Sequence, residues 1–188
     1  SGLPRFGEIK AEHVVPAVRA VLKKAEETLE HLEQNLKPTW EGLFVPLEDI
    51  QEWLHRTWGP VEHLHAVKNH DDLRKAYLDV LPEVVKFGLR FKQSEALYRE
   101  YRAIRDGAEW SKLTEPQQRI INARIRDAEL AGIALTGEKR ARFNEISQEL
   151  SRLSTEFSNN VLDSTKEFGM LLVNKDDIAG LPESLLHL

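Results

Sequence analysis

The sequence predicts an all-α fold: an irregular multi-helix domain of long antiparallel helices, with one short extended segment near residues 170–173. Three observations lead there. Apolar residues recur at three- and four-residue spacing in one segment after another, which stacks them along one face of a helix. Start and stop signals, mostly Thr, Ser, Asp, Gly and Pro, stand between those segments. Outside residues 170–173 no convincing period-two alternation marks a strand. The segments differ in length and share no repeat near about 34 residues, which disfavours a tetratricopeptide array. No low-complexity linker interrupts the chain, so residues 3–188 are expected to form one helical domain.

The first helix is expected from about Glu12 to Leu36, with Val18, Leu22, Ala25, Leu29, Leu32 and Leu36 on its stripe. Pro16 is tolerated because it falls in the opening turn, where its missing N–H has no intrahelical partner to lose. Lys37-Pro38 breaks the chain, and Thr39 caps a second helix carried by Leu43, Leu47, Ile50, Trp53 and Leu54 to about Trp58. Gly59-Pro60 ends or bends it. The pattern resumes from Val61 through Leu64 and Val67, halts at Asn69-His70-Asp71, and restarts with Asp71 or Asp72 as cap ahead of Leu73, Tyr77, Val80 and Val84. Pro82 is expected to kink or split that helix, since it deletes a backbone hydrogen bond and crowds the preceding turn. The next helix, Ser94 to Arg105, rests on Leu97, Tyr98, Tyr101 and Ile104 and stops at Asp106-Gly107.

Thr114-Glu115-Pro116-Gln117 is a start signal in which Thr114 and Gln117 can satisfy each other's backbone donors while Pro116 occupies the first turn. That helix reaches about Ala131, and Gly132 closes it. Thr136 is placed to cap the longest helix, Glu138 to Phe168, whose stripe is Phe143, Ile146, Leu150, Leu153, Phe157 and Val161. Such a stripe needs a partner surface, so Leu153→Ala or Phe157→Ala is expected to cost about 2–5 kcal/mol. Met170-Leu171-Leu172-Val173 follows as a strand or an extended strut, and Asp176 as the cap of a last short turn.

With 188 residues, 41% of them hydrophobic, the chain can bury a sizeable core. It has no cysteine, which excludes disulfides, thiolate ligands and a cysteine nucleophile and fits a reducing compartment, so a cytoplasmic location is expected. No apolar run approaches the roughly 20 residues that span a bilayer, and the N-terminus lacks the order of a signal peptide, so no membrane partner is expected. Ser1-Gly2 reads as a scar left by cloning, with the natural start elsewhere. The net charge of −5 and pI near 5.8 offer no broad basic field, so no nucleic-acid partner is expected. Arg119, Arg124 and Arg126 are interrupted by Asp127 and Glu129 and read as a solvated helix face.

Few residue patterns carry chemistry. His63, His65 and His70 lie beside Asp71 and Asp72, yet on a helix His63 and His65 point about 200° apart, and surface histidines near a turn are the better reading. Ser, His and acidic residues are all present, but there is no Gly-x-Ser-x-Gly elbow, no glycine-rich phosphate loop and no calcium loop. Trp40, Trp53, Trp58, Trp110, Tyr77, Tyr98 and Tyr101 could line a peptide groove. Trp53, Tyr77 and Tyr98 fall on the apolar stripes and read instead as core, whereas Trp110 is expected to be partly exposed. No catalytic, cofactor-binding or metal-ligating residue is assigned.

Three phrases carry a resemblance. The run Ile146-Ser147-Gln148-Glu149-Leu150-Ser151-Arg152-Leu153-Ser154-Thr155-Glu156-Phe157-Ser158-Asn159-Asn160-Val161-Leu162-Asp163 resembles the thimet-oligopeptidase-like zinc peptidases, and within them the bacterial oligopeptidase A branch. Phe6-Gly7-Glu8-Ile9-Lys10-Ala11-Glu12-His13-Val14-Val15-Pro16-Ala17-Val18 is similar to that family's opening phrase, and Gly180-Leu181-Pro182-Glu183 to the linker after its long helix. The resemblance is to the N-terminal half. It implies a parent enzyme that hydrolyses short peptides in a deep channel between two mostly helical halves, with this half as one wall that excludes folded chains.

By the same resemblance, zinc and catalysis belong to a His-Glu-x-x-His helix, in which two histidines bind the ion and the glutamate activates water. That motif is absent here: His31-Leu32-Glu33-Gln34-Asn35 has the wrong order, and the family's motif lies downstream. The implied partners are the chain's own C-terminal catalytic domain and short peptides, and the isolated chain is expected neither to cleave peptides nor to bind zinc tightly. The alternative is a self-contained helical module that binds a partner helix or peptide in an interhelical groove.

Overall fold

The computed structural model describes residues 3–186, and the Ser1-Gly2 reading therefore lies outside the described residues. The fold is all-α, with no strand among those residues. After a 3-10 turn at Phe6–Glu8 come α1 (Ala11–Gln34), α2 (Trp40–Val67), α3 (Asp71–Lys92), α4 (Glu95–Asp106), a 3-10 turn at Trp110–Lys112, α5 (Glu115–Leu130), α6 (Gly137–Glu167), a 3-10 turn at Lys175–Ile178, and the short α7 (Glu183–Leu186). The described chain divides into two compact units, the first ending at Glu149 and the second beginning at Leu150.

In the first unit α2 runs antiparallel to α1, since Lys24 meets Trp53 while Phe6, just before α1, meets His63. α3 runs parallel to α1: Arg19 pairs with Asp79 and Glu83, and Glu33 with Arg90. α4 and α5 form a hairpin joined across Tyr98 and Glu129. The stripe read from the first helix is the core side of α1, with Val14, Val18, Leu22, Ala25 and Leu29 buried. They pack with Leu43, Leu47 and Ile50 of α2, Leu73, Tyr77 and Val80 of α3, Leu97 and Ile104 of α4, and Ile121 and Ile125 of α5.

The local signals act much as expected where the chain is its own partner. Thr39 accepts the Gly42 N–H at 3.0 Å, and Gln117 Oε1 accepts both the backbone N–H and the hydroxyl of Thr114 at 2.9 Å; Ser94, read only as the first residue of its helix, is its cap and accepts the Leu97 N–H at 3.2 Å. Gly132 has φ +80°, the left-handed conformation that ends α5, with Ile133 N–H on the Ala128 carbonyl at 3.0 Å. Thr136 precedes α6, and its carbonyl accepts the Arg140 N–H.

Two readings are narrowed and two need correction. α2 does not end at Gly59-Pro60 but continues to Val67, because Trp58, Pro60, Val61 and Leu64 are all buried there. Burying large apolar side chains at roughly 1.5–3 kcal/mol each outweighs an interior proline's cost of about 3 kcal/mol. α3 is not split at Pro82; Leu78, whose carbonyl the missing N–H would have met, is itself exposed. The cap of α3 is neither Asp71 nor Asp72 but His70, whose Nδ1 accepts the Leu73 N–H at 3.4 Å. The last 3-10 turn follows Asn174, not Asp176, with Asn174 Nδ2 donating to Asp177 Oδ2 at 3.2 Å. Met170–Val173 forms neither helix nor strand.

In the second unit, Leu150, Leu153, Phe157 and Val161 of α6 are exposed, and so are Phe168, Met170, Leu171, Leu172, Val173, Leu181, Leu185 and Leu186. Asn159 is the buried residue of α6. The helical stripe is real, but it is not core here: Leu153 is 46% and Phe157 69% exposed.

Candidate functional site

The three histidines do not converge. His63 and His65 are both on α2 and diverge as the 3.6-residue turn requires. The His63 ring lies against Phe6 with centroids 5.1 Å apart, while His65 stacks on Tyr77 at 4.0 Å. His70 is occupied in capping α3. Burial, with a smaller push from the Arg74 charge, holds the His65 pKa below the ordinary imidazole value, and its Nε2 is buried without a hydrogen bond. Among the described residues no three His, Cys, Asp or Glu side chains come together as a metal site would need. The donor set present does not fit a catalytic zinc.

The aromatic residues are absorbed by packing. Trp40 stacks on Phe44 at 4.4 Å and Phe44 meets Tyr101 at 5.5 Å; Trp58 stacks on Tyr77 at 4.7 Å. Trp58, Tyr77 and Tyr101 are buried core residues, and Trp53 and Tyr98 are half-buried against the same cluster. Trp53 also carries Lys24 Nζ 3.5 Å above its ring. Trp110 is half-buried, as expected, and its carbonyl accepts from Gln118 Nε2 at 2.9 Å.

A polar seam ties α1 to α3 and α4. Arg90 grips Glu33 in a fork, Nη1 to Oε1 at 2.8 Å and Nη2 to Oε2 at 2.5 Å, and the Ser94 hydroxyl donates to Oε1 at 2.5 Å. Partial burial would raise the Glu33 pKa, but the bonds from Arg90 and Ser94 and the Arg90 charge prevail and hold it below the usual carboxylate value. Every polar group there has its partner inside the protein, so the seam is structural rather than poised for reaction.

Among the concave surfaces of the described residues, two border several helices at once. An open groove of about 1010 Å³ lies between Phe6–Glu8, the start of α1, the end of α2 and the start of α3; its walls mix Ile9, Leu64 and Leu73 with Lys10, Lys68 and Asp72. A smaller, mostly apolar cavity of about 210 Å³ is bounded by α2, α3, α4 and α5. Arg124 belongs to the second. It is not the solvated residue that its sequence neighbours Arg119 and Arg126 are: it is half-buried and donates to Gln51 Oε1 at 2.8 Å. Sequence reading missed this because only the pairing of α2 with α5 reveals it.

This arrangement of packed helices matches a known domain. The chain belongs to the neurolysin/thimet oligopeptidase family, whose N-terminal domain matches residues 18–140. It is 49% identical over 185 residues to the organellar oligopeptidase A, chloroplastic/mitochondrial, of Arabidopsis thaliana, covering 98% of this chain and 23% of that protein. It is 47% identical to the probable cytosolic oligopeptidase A of the same plant, covering 98% of this chain and 26% of that protein. Oligopeptidase A of Escherichia coli (strain K12) is 41% identical over 98% of this chain and 27% of its own length. The chain thus spans about a quarter of the length of these relatives.

Proposed function

We propose that this chain is the non-catalytic N-terminal helical half of a zinc metallo-oligopeptidase that hydrolyses short peptides. It forms one wall of the channel, contributes substrate contacts and admits short peptides while excluding folded chains. Zinc and the catalytic groups belong to the C-terminal domain of the parent, which is also this domain's partner. The proposal treats residues 3–188 as one functional portion of that parent, with no nucleic-acid or membrane partner. A cytoplasmic location is part of the reading, supported by the lack of cysteine and by a relative named as cytosolic. No helix among the described residues is long and apolar enough to cross a membrane.

The observation that carries this is the uncovered apolar face of α6 and the segment after it. Leu150, Leu153, Phe157 and Val161 repeat at helical spacing and stay in solvent, an arrangement that costs solubility unless another surface covers it. Relatives about four times as long supply chain for such a surface.

The test compares this 188-residue chain with the parent polypeptide on fluorogenic short peptides, with added zinc and with chelator. Chelator-sensitive turnover by the parent and none by the chain is the expected outcome. Turnover by the chain alone would overturn the assignment and redirect attention to His63, His65 and His70.

A further inference from the structure

The cavity bounded by α2, α3, α4 and α5 has no part in the reading so far. Its volume is about 210 Å³, and its mostly apolar wall includes Leu54, Phe87, Phe91, Leu97 and Ala128. A cavity of about 150 Å³ lined by such side chains holds a benzene ring. This one has room for a phenyl or branched aliphatic group and a short polar arm.

Gly88 keeps it open. The residue lies inside α3, where a glycine weakens a helix relative to alanine. No positive φ requires it, and a Cβ added there would meet no heavy atom within 4 Å. What its missing side chain leaves is empty space on the α3 wall of the cavity.

The charged groups of the lining favour an anion. The hydrogen bond that Arg124 makes is to the neutral amide of Gln51, and Lys92 adds a second cation to the lining. The acidic residue of the lining, Asp127, already faces the Arg126 guanidinium at 3.4 Å. The buried Tyr101 side chain also lines the cavity, and burial pushes its pKa up to about 12, which keeps its hydroxyl a neutral donor.

We propose that this cavity binds the apolar C-terminal residue of a short peptide, its phenyl or branched side chain inside and its α-carboxylate on Arg124. The proposal deepens, and rests on, the reading of the parent as a peptide hydrolase: it assigns this domain a subsite for peptide ends that carry a free carboxylate. A carboxylate on a half-buried guanidinium gains a charge-assisted hydrogen bond that a C-terminal amide does not.

The experiment titrates the 15N-labelled 188-residue chain with acetyl-alanyl-phenylalanine, with its C-terminal amide, and with 3-phenylpropionate. The acid is expected to bind at least about tenfold more tightly than the amide and to shift the amide resonances of Phe87, Leu97 and Ala128. Gly88→Leu fills the cavity and is expected to abolish binding while leaving Tm unchanged or higher, so lost binding will not be lost folding. Arg124→Gln is expected to make the acid and the amide equal. Equal affinity for the two in the wild type, or binding undisturbed by Gly88→Leu, overturns the proposal. Tighter binding of 3-phenylpropionate than of the peptide acid also overturns it, in favour of a small-molecule site. Turnover by the parent is scored separately: turnover without binding here sinks only this subsite, and binding without turnover sinks only the hydrolase reading.

Discussion

Phe157→Ala in the isolated chain separates a helix face that is apolar from one that is buried. A phenylalanine side chain has roughly 200 Å² to hide, and with 69% of Phe157 exposed about a third of that is covered. At about 25 cal/mol per Å² the covered part is worth roughly 1.5 kcal/mol, and the compactness of real unfolded chains brings this to about 1 kcal/mol. Alanine's better helix propensity returns about half of that. The expected net loss is therefore about 0.5 kcal/mol, well below the 2–5 kcal/mol that a stripe position suggests. Ile50, fully buried on α2, is the control: Ile50→Ala is expected to cost about 2–5 kcal/mol. Urea unfolding followed by circular dichroism reads both, with the Ile50→Ala midpoint lower by about 1–2 M and the Phe157→Ala midpoint nearly unmoved. In the parent polypeptide, Phe157→Ala is expected to rise to about 3–5 kcal/mol. Equal costs for the two variants in the isolated chain, or a Phe157→Ala cost in the parent no larger than in the chain, would refute the reasoning.

Glu33→Gln is expected to lower stability by about 1–3 kcal/mol at neutral pH, because the fork to Arg90 loses its charge and one acceptor. Since Glu33 has its pKa lowered on folding, its contribution is fully present above the unfolded carboxylate value of 4.5 and is lost as pH falls through the folded one. Stability against pH, wild type minus variant, shows that loss directly. His65 gives a slope higher on the pH scale. Its pKa is also lowered on folding, so stability is full above the ordinary value of 6.5 and falls as pH drops from there toward the folded value, where the half-buried ring must take up a proton. His65→Phe keeps the stacking on Tyr77, removes the unsatisfied Nε2, and is expected to abolish that slope in a thermal-melt series from pH 7.5 to about pH 5.

What was legible in the sequence was what the chain settles locally. Thr39, Thr114 and Gly132 act within three or four residues of themselves, so their caps and stops could be read before any fold was known. Gly59-Pro60 misled because the opposing term is tertiary: the burial of Trp58, Val61 and Leu64 on both sides of the pair carries α2 through it. His70 was passed over as a cap in favour of its acidic neighbours, although imidazole Nδ1 can accept the same N–H. The cavity behind Gly88 had no sequence signal at all, since an empty volume belongs to four helices at once and to no pattern within one.

Arg124 and the α6 stripe fail to be read for opposite reasons, and together they mark where periodicity stops informing. Arg124 looks like one of three solvated cations until α2 brings Gln51 to it; the missing information was a contact this chain makes. Leu150, Leu153, Phe157 and Val161 look like core by every rule of helix spacing, yet all four are exposed. Periodicity reports which side of a helix is apolar, and burial reports what has been laid against it. Under the proposed function, a stripe that satisfies the first and not the second is the surface on which the C-terminal domain is proposed to dock.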